Sequence, residues 1–180
     1  YAGRFDARQD LPALLAALAR LAAEEGPPGI DAADWPPRVL LVGASPDDRS
    51  SVSRAALVQG VTASILYAPG LPDDRLAGLV AGARIALQPV RSEASGLAAM
   101  EAIAAGVPVV AAAVGTLPEV VGAAGILVEA GDPARLAAAI RVAWSDADPY
   151  PGLVAAARER AEASRMWADV ARETRAAWAD

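Results

Sequence analysis

The chain predicts an α/β fold: a doubly wound parallel sheet of about five or six strands with helices on both faces. Strand-like and helix-like segments alternate through almost all of its 180 residues. The strand-like ones, such as Val39 to Gly43 and Val107 to Ala112, are apolar at consecutive positions, as strands covered on both faces are. Composition agrees, because 54% hydrophobic residues with only 4% aromatics suits a core packed from Ala, Val and Leu. At this length, residues 1–180 are expected to form one domain with a proper core.

The elements follow in order. Tyr1 to Gly3 reads as the tail of a first strand, as though the chain opened midway through it, which predicts a domain cut from a longer protein. Arg4 to Gln9 is the loop after it. Asp10 suits an N-cap with Pro12 in the first turn, and Leu14, Leu15, Leu18 and Leu21 recur at helical spacing until Gly26-Pro27-Pro28-Gly29 ends the helix. Val39 to Gly43 is a buried strand, and a helix is expected from about Arg49 to Gln59. Strand Ala63 to Tyr67 leads to the turn Pro69 to Asp74, where Asp73 or Asp74 suits the cap of a helix running to about Ala81. Arg84 to Pro89 is the next strand. Ser95 and Gly96 then open a helix whose body is Leu97 to Ala105, Gly106 closes it, and Val107 to Ala112 is buried strand. Gly115 to Glu119 opens a short helix before strand Gly125 to Val128, and Asp132-Pro133 starts another that carries Leu136, Ile140 and Trp144 on one side. Beyond Pro149 the chain reads as helical to its end. Met166, Trp167, Val170, Thr174 and Trp178 keep helical spacing there, as a core-facing stripe or as a patch that another domain covers.

Several function classes lose support at once. A net charge of −6 does not suit a nucleic-acid surface. The chain has neither Cys nor His, which removes thiolate and imidazole chemistry and the commonest metal ligands. The most apolar run, Leu97 to Val114, is broken by Glu101, Gly106 and Pro108, so no membrane span is expected. With no signal peptide visible, a cytoplasmic location follows as the expectation. Gly43-Ala44-Ser45-Pro46 lacks the three-glycine dinucleotide fingerprint, and no lysine exists for a phosphate loop.

The stretch Arg91 to Gly115 organises the rest. Leu97 and Glu101 lie four residues apart and share one helix face, and Glu101 is the one charge on an otherwise apolar helix, which asks for a partner. Glu93 lies in the loop before that helix, where an anion-attracting N-terminus would meet the end of a strand. A phosphate held on the N–H groups of Gly96 and Leu97, with carboxylates taking sugar hydroxyls, fits those residue types. The spacing alone is also met by a solvated loop acid and a half-exposed helix glutamate. Arg4 and Arg8, at the carboxyl edge of the first strand, are candidate phosphate clamps or ordinary surface charge.

Glu93, seven intervening residues, Glu101 and then Ala102 to Val110 resemble the E-x7-E signature of retaining glycosyltransferases of the GT-B fold, family-4 type. Pro89, Glu93, Gly96, Leu97 and Glu101 match that pattern in register; Ala94 and Ser95 depart from it. The family's first loop reads G-R, a spacer, then R-K followed by Gly or Asn. Gly3 and Arg4 match, whereas Gln9 stands at the lysine position and removes a positive charge. The resemblance extends from Tyr1 to about Trp178. It implies a Rossmann-like donor-binding half of a two-domain enzyme, whose N-terminal acceptor domain lies outside this chain, with a nucleoside diphosphate sugar as substrate and no metal or other cofactor. Glu101 would take ribose hydroxyls and Glu93 hydroxyls of the transferred sugar. Arg4 would neutralise diphosphate with Arg8 and Gln9 beside it, and Gly3, Ala94, Ser95, Gly96 and Leu97 would complete the donor contacts. Ala68, Pro69, Gly70 and Leu71 would border the base, and Glu119 lies on the same edge. The departures leave two other readings open: a binding or structural domain whose transfer activity has decayed, and an unrelated small-ligand module.

Overall fold

A computed structural model describes residues 1–163 and 167–179. Among the described residues five parallel strands form, split into two sheets. Strand β1 (Val39–Val42) pairs with β2 (Ile65–Ala68), Leu41 opposite Tyr67. Strand β4 (Val109–Ala112) lies between β3 (Ala86–Gln88) and β5 (Gly125–Val128), with Val110 facing Leu87 on one side and Ile126 on the other. The parallel α/β class is as expected, but the sheet is smaller than one continuous array of about five or six strands. Tyr1 to Gly3 contributes only an isolated parallel bridge, Ala2 to Val42, in place of the expected strand.

Helices cover both faces because side chains on a strand alternate. Val110 points into a core with Leu14, Leu15 and Leu18 of α1 (Leu11–Ala22) and Leu136 and Ile140 of α6 (Pro133–Trp144). Val109 and Ala111 point the other way, against Ala99, Ala102 and Ile103 of α4 (Leu97–Ala104), Leu117 and Val121 of α5 (Leu117–Val121), and Ala157 of α7 (Tyr150–Glu162). Small residues let these layers approach closely, which accounts for the alanine content. Arg84 ties the start of β3 to the α6–α7 corner: it stacks 3.9 Å from the Tyr150 ring and donates to the carbonyls of Ala143 and Ser145.

Local chemistry sets the helix starts. Asp10 caps α1 by accepting from Ala13 N, and Asp132 caps α6 by accepting from Ala134 N and Arg135 N. Helix α2 (Pro46–Val58) begins three residues before the expected Arg49, because Ser45 and Asp48 form a reciprocal capping box with aspartate in the acid position. Helix α3 (Asp73–Ala81) has Pro72 as its N-cap and no side-chain cap; Asp73 and Asp74 sit in its first turn, where the helix dipole favours them.

Helix α8 (Trp167–Ala179) departs from a core-facing stripe. None of its described residues is buried, and Trp167 and Trp178 are 86% and 83% exposed. Of that stripe, Met166 lies outside the described residues. Among the described residues no helix is long and apolar enough to cross a membrane.

This packing predicts a sharp contrast in stability. Leu18 is wholly buried, and Leu18→Ala should lower the unfolding free energy by about 2–5 kcal/mol. Leu57 is 72% exposed, and Leu57→Ala should change it by less than about 0.5 kcal/mol. Urea denaturation of both variants measures the difference.

Candidate functional site

The carboxyl ends of the parallel strands open onto a cleft of about 610 Å³. Two loops form most of it. The loop before α1 supplies Gly3, Arg4, Arg8 and Gln9; the loop after β3 supplies Ser92 to Ser95, with Glu93 among them; α4 adds Leu97 and Glu101. Residues expected from distant parts of the sequence therefore share one space. Gly96 is buried behind this wall. Ala68 to Leu71 are not in the cleft lining; on that side the nearest element, α3, contributes Leu76.

The loop before α4 is built on Glu93. Its Oε1 accepts from the backbone N–H of Ala94, Ser95 and Gly96 at 3.0, 2.9 and 3.0 Å, and from Ser95 Oγ at 3.3 Å. These bonds favour the ionised form, so the Glu93 carboxyl titrates below the ordinary glutamate value, the Gly96 N–H contributing most. Leu97 N–H donates a long bond to Ser95 Oγ, at 3.4 Å. Gly96 takes φ +67°, which suits glycine.

From the other side Gly115 fixes the same loop. A Cβ on Gly115 would lie 1.7 Å from the carbonyl oxygen of Glu93, and its φ of +54° is left-handed. Only glycine lets the backbone before α5 pass so close to Glu93.

Charge in the first loop is distributed unevenly. Arg8 is bound to Asp6, Nη2 to Oδ2 at 2.6 Å and Nε to Oδ1 at 3.2 Å. That contact lowers the titration of the exposed Asp6 carboxyl, with the Arg8 hydrogen bond as the largest cause. The single O–H of Tyr1 is shared between two acceptors, Gln9 Oε1 at 2.8 Å and the Arg4 carbonyl. Burial pushes the Tyr1 phenol upward, and the nearby charges of Asp6 and Glu93 push it further, so it stays a neutral donor. The Arg4 guanidinium is exposed.

Glu101 departs from the expectation of a carboxylate needing a partner. The face of α4 that bears it is open, with Leu97 56% and Met100 43% exposed, and Glu101 itself is exposed. Its carboxylate is open to solvent, and α4 is apolar nearly all round without being buried all round. Sequence reasoning passed over Gln88, which lines the cleft from the end of β3 at 6% exposure. The signal was present: one amide ending a strand of otherwise apolar residues. Glu119 lies apart from the cleft lining, its carbonyl accepting from Arg160.

Residues 1–146 match the family model of group 1 glycosyl transferases, and the chain belongs to that family. No curated protein gives a significant match. Among solved structures, sucrose-phosphate synthase from Thermosynechococcus elongatus superposes with a TM-score of 0.78 at 28% identity, over 98% of this chain and 43% of that one. Anabaena HepE in complex with UDP superposes with a TM-score of 0.71 at 23% identity, over 88% of this chain and 42% of that one. The C-terminal domain of the group 1 family protein LpcC from Francisella tularensis gives 0.68 at 18% identity, over 89% and 79%. The chain thus spans less than half the length of the synthase and of HepE. Its fold is that of a GT-B glycosyltransferase domain.

The geometry of the Glu93 loop can be tested from both of its sides. Ionised Glu93 holds its loop, so that contribution is complete above the usual glutamate range near ~4.3 and is lost as pH falls through its lowered native value. Carboxyl NMR should give a midpoint below the ordinary glutamate value, with the Ser95 and Gly96 amides titrating in step; a midpoint at or above that value contradicts the arrangement. Gly115→Ala should destabilise the domain by about 1–3 kcal/mol, through strained backbone and a displaced Glu93, and a thermal scan reads that loss.

Proposed function

We propose that this chain is the donor-binding half of a retaining glycosyltransferase of the family-4 type, which transfers a sugar from a nucleoside diphosphate sugar. One observation carries the reading: Arg4 from the first loop and Glu93 and Glu101 from the E-x7-E stretch line a single cleft at the carboxyl ends of parallel strands. Open α/β sheets take their ligands at that edge. HepE, which shares the fold, has structures in complex with UDP and with UDP-glucose; by analogy, uridine diphosphate is the first candidate ligand.

In this reading Arg4 neutralises the diphosphate, and Glu101 accepts ribose hydroxyls. Glu93 uses Oε1 to hold its own loop and turns its second oxygen to hydroxyls of the transferred sugar. The weakly held Leu97 N–H is the readier backbone donor to phosphate; a phosphate taking the Gly96 N–H would have to displace Glu93. Stabilising charge on the departing diphosphate is the main catalytic term. Arginine and backbone N–H groups supply it, so the reading calls for no metal ion. The acceptor is bound by a second domain outside these 180 residues, and the setting is cytoplasmic.

A second reading, donor binding with slow or no transfer, is favoured by one specific feature. Gln9 replaces the expected lysine and faces Tyr1, while Arg8 is bound to Asp6, which weakens the positive field of the first loop. Loss of one transition-state donor costs about 2.7–4 kcal/mol of barrier.

Calorimetric titration with UDP, GDP and ADP tests the site. One diphosphate should bind, and Glu101→Ala should weaken it by about 1–3 kcal/mol, the range of hydrogen bonds to charged groups. Binding that is indifferent to Glu101 contradicts the assignment. Turnover by a protein carrying both domains then separates transfer from binding alone.

A further inference from the structure

Outside the cleft lining, the two loops that form it are joined by a charged pair, Asp10 and Arg91. Asp10 is 2% exposed, and its Oδ1 caps α1 by accepting from Ala13 N at 3.3 Å. Its Oδ2 lies 2.9 Å from Nη2 of Arg91 and has no aligned hydrogen bond among the described residues. Arg91 begins the segment that ends in Glu93 and Gly96. The backbone repeats the connection: Asp10 N donates to Pro89 O at 2.6 Å, Arg91 N donates to Arg8 O at 2.7 Å, and Gln9 bridges Val90 in antiparallel sense. Gly131, at φ +76°, lies against the pair, where a Cβ would be 3.7 Å from Arg91 Nη1 and 3.8 Å from Asp10 Oδ2; Asp10 is the buried partner, and the Arg91 side chain is 62% exposed.

Capping alone does not account for this charge. A neutral Asn or Ser caps a helix about as well as Asp, and burying a carboxylate costs solvation that one ion pair offsets only in part. A short charge contact between two irregular loops, set beside the backbone bonds Asp10 N to Pro89 O and Arg91 N to Arg8 O, in contrast ties them to one register. We propose that Asp10 and Arg91 are positioning residues: their pair sets the Arg4 loop against the Glu93 loop and so holds the nucleoside diphosphate site in its binding geometry. The ligand part of this inference rests on the donor-binding function proposed for the cleft. Neither residue is among those lining the cleft in contact with the candidate ligand groups, since Arg4, Glu93 and Glu101 face it and Asp10 and Arg91 do not.

The test uses Asp10→Asn, which keeps an oxygen to cap α1, with Arg91→Gln, Arg91→Lys and the double variant Asp10→Asn/Arg91→Gln. Amide hydrogen exchange is read across Gly3 to Asp10 and Arg91 to Gly96, with α2 as an internal control, and UDP, GDP and ADP are titrated into each protein. Asp10→Asn and Arg91→Gln should each speed exchange in both loops about tenfold while leaving α2 unchanged. Each should weaken the bound diphosphate about five- to twentyfold, Arg91→Lys should recover most of that loss, and the double variant should be no worse than either single one. The proposal is overturned if exchange rises in neither loop or in only one, if lysine does no better than glutamine, or if the two losses simply add. Should the unaltered chain bind no diphosphate, the proposed function fails, and coupled exchange alone decides whether the brace exists. Should Asp10→Asn unfold, the Arg91 variants carry both readouts.

Discussion

The cleft depends first on the carboxylate of Glu93 gripping three successive backbone N–H groups at the entrance to α4. That grip turns a stretch with no regular structure into a defined wall. It also explains why the residues around it are small: Gly96 adopts a left-handed turn, and Gly115 brings a second backbone against the Glu93 carbonyl, where a methyl group would lie at 1.7 Å. The organising stretch is therefore organised as backbone. Its side chains matter chiefly where they leave the backbone and enter the cleft, at Glu93, Leu97 and Glu101.

From this contact the rest follows outward. Helix α4 can stand at the cleft because its inner face, Ala99, Ala102 and Ile103, packs on β4, while its outer face carries Glu101 into water. The first loop can meet it because α1 is packed against α6 on the other face of the sheet and its N-terminus is capped by Asp10 at the same edge. Parallel strands aim all their carboxyl ends one way, so each strand-to-helix loop arrives at one side of the sheet. The chain belongs to the group 1 glycosyl transferases, and the proposed donor site lies at that edge.

Much of the layer order was legible beforehand. Consecutive apolar residues in Val39–Val42 and Val109–Ala112 signalled strands covered on both faces, and Asp10 and Asp132 marked two helix starts correctly. The split of the sheet was not legible, because pairing between strands is a matter of position in space that no local pattern encodes. The capping box of α2 was overlooked since aspartate replaced the commoner glutamate. Periodicity in the last helix identified a face without revealing what, if anything, lies against it. At the site, the residue types were legible but their mutual occupation was not: Gly96 N–H is engaged by Glu93, Arg8 by Asp6 and Gln9 by Tyr1. For Glu101 the sequence allows a charge that asks for a partner or a half-exposed helix residue, and the structure has it exposed, because apolar neighbours in sequence do not make an apolar environment.

Two loops, distant in sequence, are proposed to act as one nucleoside diphosphate site, and everything said of function depends on that union. Amide chemical shifts followed during addition of UDP, with GDP and ADP in parallel, test it most directly. Residues in Gly3 to Gln9 and in Ser92 to Glu101 should shift together with a single binding constant. Shifts confined to one of the two loops, or centred on another face such as α2, would contradict a shared site.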